Sequence, residues 1–431
     1  MQGIFQKENT DKALKYGIYR HLPTYEKIIR NLVSFYTIYI DRSCRGQEEA
    51  MIKIFVTGDN HFGKKYDRYP EIRDRLVDNR FVCFEKMVEK AEQEGCDIFA
   101  VTGDLFDNCS SIRKSDVERV VRILAGFAGR VLVLPGNHDY YTGEEKVWKD
   151  FDDALRTCDN NIIRLDRFEP YPIEIAEETV VIYPAFCRSK HSRENNLGWI
   201  KETSVPKNGQ INIGMAHGAI EGVTPDMQKE YFLMTEPELQ AIPMDVWLVG
   251  HTHIPYPGGL SEDEEIGGYR IFNAGTHAQT DLHNNTRGYG FIISVDKQGD
   301  KAQVSAKKYQ SGTIFFYDIA VRVSSAEGDS LEALLQEKLD PLEAESVVRL
   351  TVTGSVLSEE YSRRQELYKK YCDRFLSWEL QDDELHEEIT LDRVREEFAE
   401  SSFAAKLMEA LQGDQTELQM AYELLQECSR E

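Results

Sequence analysis

Six apolar runs in this chain each lead into metal-ligating or turn residues. They are Asp59-Asn60-His61, Gly103-Asp104, Gly136-Asn137-His138-Asp139, His217-Gly218, Gly250-His251-Thr252-His253 and Asn273-Ala274-Gly275. A fold that uses all six must return repeatedly to one edge, because dispersed carboxylate, amide and imidazole donors share cations only where strand ends converge. Layered α/β sheets do this, gathering ligands beyond the carboxyl ends of their strands. Taken singly, Gly103-Asp104 or Gly136-Asn137 is an ordinary turn. The conjunction is what constrains, since five of the ten histidines fall within these segments. Such a donor set implies two divalent cations sharing a water activated for attack on a phosphodiester.

With 431 residues, 41% of them hydrophobic, the chain has enough apolar content for two or more domains. From Met51 to about Tyr309, short β-branched runs alternate with helical spacing, which predicts an α/β layered domain over 51–310. Buried strands are expected at 52–56, 98–101, 131–134, 180–183, 211–215, 246–249, 269–272 and 290–293. Helical spacing shows at Phe81 to Ala91 and at Val117, Val120, Val121 and Leu124. Beyond Gly312, strands over Ile314 to Val323 and Ser346 to Thr353 flank a helix from Ser330 to Leu339, a small α+β unit assigned to 311–380. Charged helices are expected over Glu359 to Trp378, Asp392 to Leu411 and Thr416 to Cys428. The last two carry apolar faces at Ala404, Leu407, Met408 and Leu411 and at Leu418, Ala421, Tyr422 and Leu425. Those faces read either as packed within the C-terminal segment 381–431 or as a partner-binding surface.

Residues 1–50 show no strand-turn rhythm. Met51 reads as the natural initiator, with a translated leader over 1–50 as the competing reading. The apolar stretch Asn31 to Ile40 is far shorter than the ~20 residues of a membrane span. Eight cysteines without a Cys-x-x-Cys pair argue for reduced thiols in a cytoplasm. Of the net charge of -24, the segment from Val321 to Glu431 carries -15, with 12 Lys+Arg against 27 Asp+Glu. Bound cations would offset this locally, so a polyanionic substrate is not excluded, although tight DNA binding by the chain alone is disfavoured.

The motif series resembles the calcineurin-type metallophosphoesterase superfamily over about Met51 to Ile293. Gly103-Asp104-Leu105-Phe106-Asp107 and Gly250-His251-Thr252-His253-Ile254-Pro255 are similar to its SbcD branch of DNA-end nucleases, and Val347 to Gly354 resembles a strand of the SbcD capping domain. The resemblance implies a layered β-sandwich flanked by helices, a small α+β capping domain and a helical C-terminus. It further implies that Asp59, His61, Asp104 and His253 hold one metal while Asp104, Asn137, His217 and His251 hold the other, Asp104 bridging. Mixed oxygen and imidazole ligands without thiolates suit Mn2+, with Fe or Zn as alternatives. His138 matches the family's catalytic histidine, which contacts the phosphate and protonates the leaving oxygen, and Asp139 is expected to orient its ring.

The sequence departs from that pattern in two places. Asp107 stands where many relatives carry His or Asp, so a second catalytic histidine is absent, and Asn273-Ala274-Gly275-Thr276-His277 replaces a Pro-Gly-Ser turn. His277 and His283 read as loop histidines. Lys64, Lys65, Arg68, Arg73, Arg75 and Arg80, interleaved with acids, read as a solvated face, with contact to DNA phosphates as the competing reading. The implied activity is that of a DNA exonuclease or end-processing nuclease, dimeric and joined to an SMC-like ATPase of the SbcC type, which the C-terminal helices would meet. The alternatives are a small-molecule phosphodiesterase or phosphoprotein phosphatase built on the same site, and a scaffold that has lost its metals, which retention of every ligand position disfavours.

Overall fold

The computed structural model describes residues 51–430 apart from positions 159, 177, 224, 225, 227, 263, 326, 327, 390, 400, 412 and 414. The reading of residues 1–50 lies outside the described residues. Strands β1 (Ile52–Thr57), β2 (Ile98–Val101), β3 (Arg130–Val133) and β4 (Ile162–Arg164) run parallel in one sheet. A second sheet holds β5 (Tyr171–Ile175), β6 (Glu178–Ala185), β7 (Ile211–His217) and β8 (Val246–Gly250). Strand β9 (Glu265–Gly267) returns to the first sheet, β10 (Ile271–Asn273) extends the second, and β11 (Tyr289–Gln298) and β12 (Lys301–Gln310) close the first as an antiparallel pair. The strand orders are β4-β3-β2-β1-β11-β12-β9 and β10-β8-β7-β6-β5.

Side-chain alternation explains why these sheets stack. In β1, Ile52, Ile54 and Val56 point into the layer between the sheets, where they join Ile98 and Ala100 of β2 and Ile213, Met215 and Leu248 from the opposing sheet. Phe55, Phe99 and Val101 point the other way, against helices α1 (Arg73–Gln93), α2 (Lys114–Leu124) and α3 (Lys146–Leu155). Strands buried on both faces need no polar alternation, which accounts for their continuous apolar runs. Helix α2 buries Val117, Val120, Val121 and Leu124, one stripe at the expected spacing. The outer face of the second sheet is covered by residues of and around the short helices α4 (Gly198–Glu202) and α5 (Glu236–Ala241), among them Ile200 and Leu239. The result is the mixed α/β sandwich with flanking helices that the sequence predicted.

Beyond β12 the chain forms a separate four-stranded sheet from β13 (Phe315–Ser324), β14 (Ser346–Val356), β15 (Ser377–Gln381) and β16 (Leu385–Glu387), with α6 (Leu331–Leu339) and α7 (Ser358–Cys372) as crossovers. All its pairings are parallel, so helices and strands alternate rather than segregate. The helix expected to reach Trp378 stops at Cys372, and Trp378 lies in β15, which pairs in parallel along β14. The helix expected over Asp392 to Leu411 is split. Ser402 caps the second piece by accepting from the Ala405 amide, giving α8 (Leu391–Glu397) and α9 (Phe403–Ala410), followed by α10 (Gln415–Arg430). Ala405, Met408, Leu418 and Ala421 are buried together, so the C-terminal apolar faces pack largely on one another, leaving Phe403, Met420 and Leu424 exposed.

The two sheet units meet through Tyr66, Leu76 and Leu282 on one side and Ile314, Phe316 and Val347 on the other. Around this apolar seam Arg68 pairs with Glu379, Arg75 with Glu345, and Arg287 with Glu343. These pairs are solvent-exposed and contribute at most ~1 kcal/mol each, so the buried apolar contact supplies most of the attachment. Among the described residues, no helix is long and apolar enough to cross a membrane.

Candidate metal centre

Each predicted ligand sits just past the carboxyl end of a parallel strand or on its last residue. Asp59 and His61 follow β1, Asp104 follows β2, Asn137 to Asp139 follow β3, His217 ends β7, and His251 and His253 follow β8. The strand ladder continues into the ligand loops, since the Asp59 amide donates to the Gly103 carbonyl at 3.0 Å and the His61 amide to the Asp104 carbonyl at 2.9 Å. Four of the predicted ligands adopt the left-handed backbone region that side chains avoid: Asp59 (φ 48°), His61 (φ 45°), Asp104 (φ 49°) and His251 (φ 98°). Among the described non-glycine residues only three others do so, so strain is concentrated at this site. Glycine makes room for it, because a Cβ on Gly103 would strike the His217 ring and one on Gly136 would strike Asp104.

The donors form two groups. Ligand atoms of Asp59, His61 and His253 lie within 4.8 Å of one another, and so do those of Asp104, His217 and His251. Asp104 reaches both, with Oδ2 3.7 Å from His61 Nε2 and 3.4 Å from His217 Nε2. Asn137 Oδ1 lies 2.9 Å from His217 Nε2 and 3.0 Å from His251 Nδ1. The His251 backbone amide donates to Asp59 Oδ1 at 2.9 Å, and its ring stacks on Tyr231.

The electrostatics are those of a site built around positive charge. Burial pushes the Asp59 carboxyl up to about 7 against the pull of His217. Burial also opposes the Asp104 charge, yet the facing His217 and His61 outweigh it and hold that carboxyl well below the usual range. Burial opposes a charged His217 too, but Asp104 and Asp59 win and carry it up to about 9. Burial drives His251 down to about 4 and His253 down to about 3. His217 Nδ1 is 2.9 Å from the Thr102 carbonyl and so carries a proton, which leaves Nε2 facing Asn137 Oδ1 and Asp104 Oδ2. A neutral ring would put three acceptors together there. A second proton on His217 or a bound cation relieves that clash, so the donor set fits divalent metals in both groups.

His138 and Asp139 separate in role. The His138 ring, half-buried and 4.8 Å from that of His61, has Nδ1 3.0 Å from the Asp107 backbone carbonyl. Asp139, expected to orient this ring, instead lies fully buried beneath it in the chain turn, accepting from the Phe106 amide at 3.0 Å and the Gly136 amide at 2.7 Å. The reason is local: those two loop amides lack strand partners, and the short Asp139 side chain satisfies both. Burial, with Asp104 adding to it, pushes its carboxyl up to about 7.

Several contributors escaped sequence reading. The Thr102 carbonyl sets His217 and Tyr231 backs His251, while Asp107, noted in the sequence only for the histidine it replaces, borders both His61 and His138. His277, read as a loop histidine, is fully buried between Phe62 and Phe84 with Nε2 2.9 Å from the Arg80 carbonyl. Arg80 is buried as well, giving Nε and Nη2 to the Asn60 carbonyl and Nη1 to the Tyr66 hydroxyl. It holds the residue between Asp59 and His61 rather than facing solvent or nucleic acid.

Residues 52–255 match the family of calcineurin-like phosphoesterases. Among solved structures the chain is similar to a Staphylococcus aureus protein assigned as a 5'-nucleotidase, at 14% identity and a TM-score of 0.38 over 61% of this chain and 55% of that one. The calcineurin-like phosphoesterase YfkN from Bacillus subtilis gives 14% identity and 0.38 over 61% and 92%. A dimetal phosphatase from Danio rerio gives 12% and 0.34 over 60% and 99%. The alignment thus takes in little more than half of the first of these proteins.

Proposed function

We propose, from the premise that residues 52–255 form a calcineurin-like metallophosphoesterase domain, that this protein is a two-metal phosphodiesterase that processes DNA ends. The observation that carries the two-metal reading is the position of Asp104, which belongs to the group with His217 and His251 and whose Oδ2 also lies 3.7 Å from His61 Nε2 of the Asp59–His61–His253 group. Two divalent cations held by these residues would supply Lewis acidity and would lower the pKa of bound water from ~15.7 towards ~7. The protein's part is to hold the donors rigidly. The Thr102 carbonyl orients His217 through Nδ1, and the His251 amide pins Asp59. His138, anchored through Nδ1 by the Asp107 carbonyl, keeps Nε2 as the nitrogen that donates a proton to the departing sugar oxygen. In this reading Asp59, His61, Asp104, Asn137, His217, His251 and His253 are ligands, Mn(II) is the preferred metal, and His138 is catalytic.

DNA as substrate is supported by the Gly103–Asp107 and Gly250–Pro255 segments and by Val347 to Gly354, which falls on the central strand β14. On this reading 51–310 is the catalytic domain, 311–380 a cap, and 381–431 the contact with an SMC-like ATPase of the SbcC type in a dimeric assembly. The net charge of -24 makes unaided duplex binding weak, which is consistent with a partner that delivers the DNA. One observation favours the second reading, a small-molecule phosphodiesterase or phosphatase: Arg68, Arg73 and Arg75 are engaged in ion pairs rather than free for phosphates.

The test is Mn(II)-dependent loss of label from end-labelled linear duplex, with Asp104→Asn as control. Cleavage absent from the control supports a DNA nuclease. Hydrolysis of small phosphoesters without attack on duplex, alone or with the ATPase, favours the second reading.

A further inference from the structure

We infer that Asp107 is a positioning residue for the centre, its carboxylate setting the ring of His61 and its backbone carbonyl the ring of His138. The inference rests on the reading that Asp59, His61 and His253 hold a cation. Asp107 Oδ1 lies 3.3 Å from His61 Nδ1, a buried nitrogen that makes no hydrogen bond, so this carboxylate is the polar group facing it. The Asp107 carbonyl lies 3.0 Å from His138 Nδ1, and its amide donates to the Phe62 carbonyl at 3.0 Å, which ties the residue to the chain just after His61.

Two chemical requirements converge on this residue. For His61 Nε2 to offer its lone pair to a cation beside His253, the ring proton must sit on Nδ1, and a carboxylate facing Nδ1 favours that tautomer and fixes the ring plane. For His138 Nε2 to be the working nitrogen, Nδ1 must likewise donate elsewhere, and it donates to the same residue's main chain. One side chain therefore governs His61 while the backbone of the same residue governs His138. The donor atoms of His61, Asp107 and His138 also lie within 4.8 Å of one another. A third cation there is chemically poorer, because it would need lone pairs from both nitrogens of His61 and would compete with the His138 bond to the Asp107 carbonyl. This also answers the departure noted in the sequence: a carboxylate in place of a second histidine orients a ligand rather than meeting substrate.

The experiment compares the full chain with Asp107→Ala and Asp107→Asn by calorimetric Mn(II) titration and thermal melting of the metal-free proteins. Asp107→Ala is expected to weaken one Mn(II) equivalent by ~10–100-fold, the range for removing such an outer partner, while the other equivalent keeps its affinity. Asp107→Asn keeps an acceptor and recovers most of the loss. Melting of the metal-free protein is unchanged. Both equivalents unchanged in Asp107→Ala, or both weakened together with a lowered melting temperature, overturns the inference. If Asp107→Ala does not melt cooperatively, Asp107→Ser, too short to reach the ring, replaces it under the same criteria. A parental chain that takes up no Mn(II) overturns the metal-centre reading itself, whereas two equivalents in the parent and both unchanged in the variants overturn only the role of Asp107.

Discussion

His61 and His253 face each other Nε2 to Nε2 at 3.1 Å, and burial disfavours a positive charge on either ring. Two lone pairs at that separation repel unless a proton or a cation lies between them. Metal binding should therefore stabilise the fold. At 100 times its Kd a ligand adds about 2.7 kcal/mol, and for a domain of this size that raises the melting temperature by roughly 5–10 °C. Scanning calorimetry of chelated and Mn(II)-reconstituted protein checks this, and coincident transitions would refute it.

His138 and Asp139 should fail in different ways. His138→Ala is expected to lower kcat by about 10²–10⁴ with metal content and melting temperature unchanged. Asp139→Ala strips the partners from the buried Phe106 and Gly136 amides, which costs about 2–6 kcal/mol at the usual penalty for two orphaned groups. Urea unfolding of the two variants separates them, and equal stability losses would contradict the assignment.

Arg80 carries a comparable prediction. Arg80→Met leaves the Asn60 carbonyl and the Tyr66 hydroxyl without their guanidinium donor, a loss of roughly 2–6 kcal/mol. Arg73→Ala, at an exposed pair with Asp67, should cost no more than ~1 kcal/mol. Denaturant midpoints decide, and a mild Arg80 variant would show that the buried guanidinium is dispensable.

Thiol chemistry tests the burial pattern directly. Burial pushes Cys96 and Cys109 up to about 12 and Cys372 up to about 11, and raises Cys83 and Cys187 also. At pH 8 iodoacetamide should modify the exposed Cys428 and spare those five until denaturant is added. Because the folded state holds these protons more tightly than the unfolded chain, the stability they contribute is fully present below about pH 8.5. It is lost as pH rises towards 11–12, so the melting temperature should fall across that range. Peptide mapping showing Cys96 alkylated in the folded protein would refute the pattern.

Much of this was legible in the sequence where one physical signal dominated. The stripe Val117, Val120, Val121 and Leu124 gave a helix at its observed place, and the histidine-bearing segments after apolar runs all converge at one edge. Strands with mixed polarity, such as β12 with its Lys301, Lys307 and Lys308, escaped because their outward residues break the apolar run. Thr102 and the backbone of Asp107 act through carbonyls, which no residue type advertises. Arg80 did leave a trace. It stands four residues after Leu76 and four before Phe84 on the buried face of α1, a register that a charge count alone passes over.

The seam between the two sheet units has one further consequence. Every arginine–glutamate pair across it places the cation on the sandwich and the anion on the parallel-sheet unit. While the units stay docked, Arg68, Arg75 and Arg287 are neutralised from within the molecule. Parting them would unmask three guanidinium groups on one body and three carboxylates on the other, so that the shape of this protein and the local charge along that seam would change together.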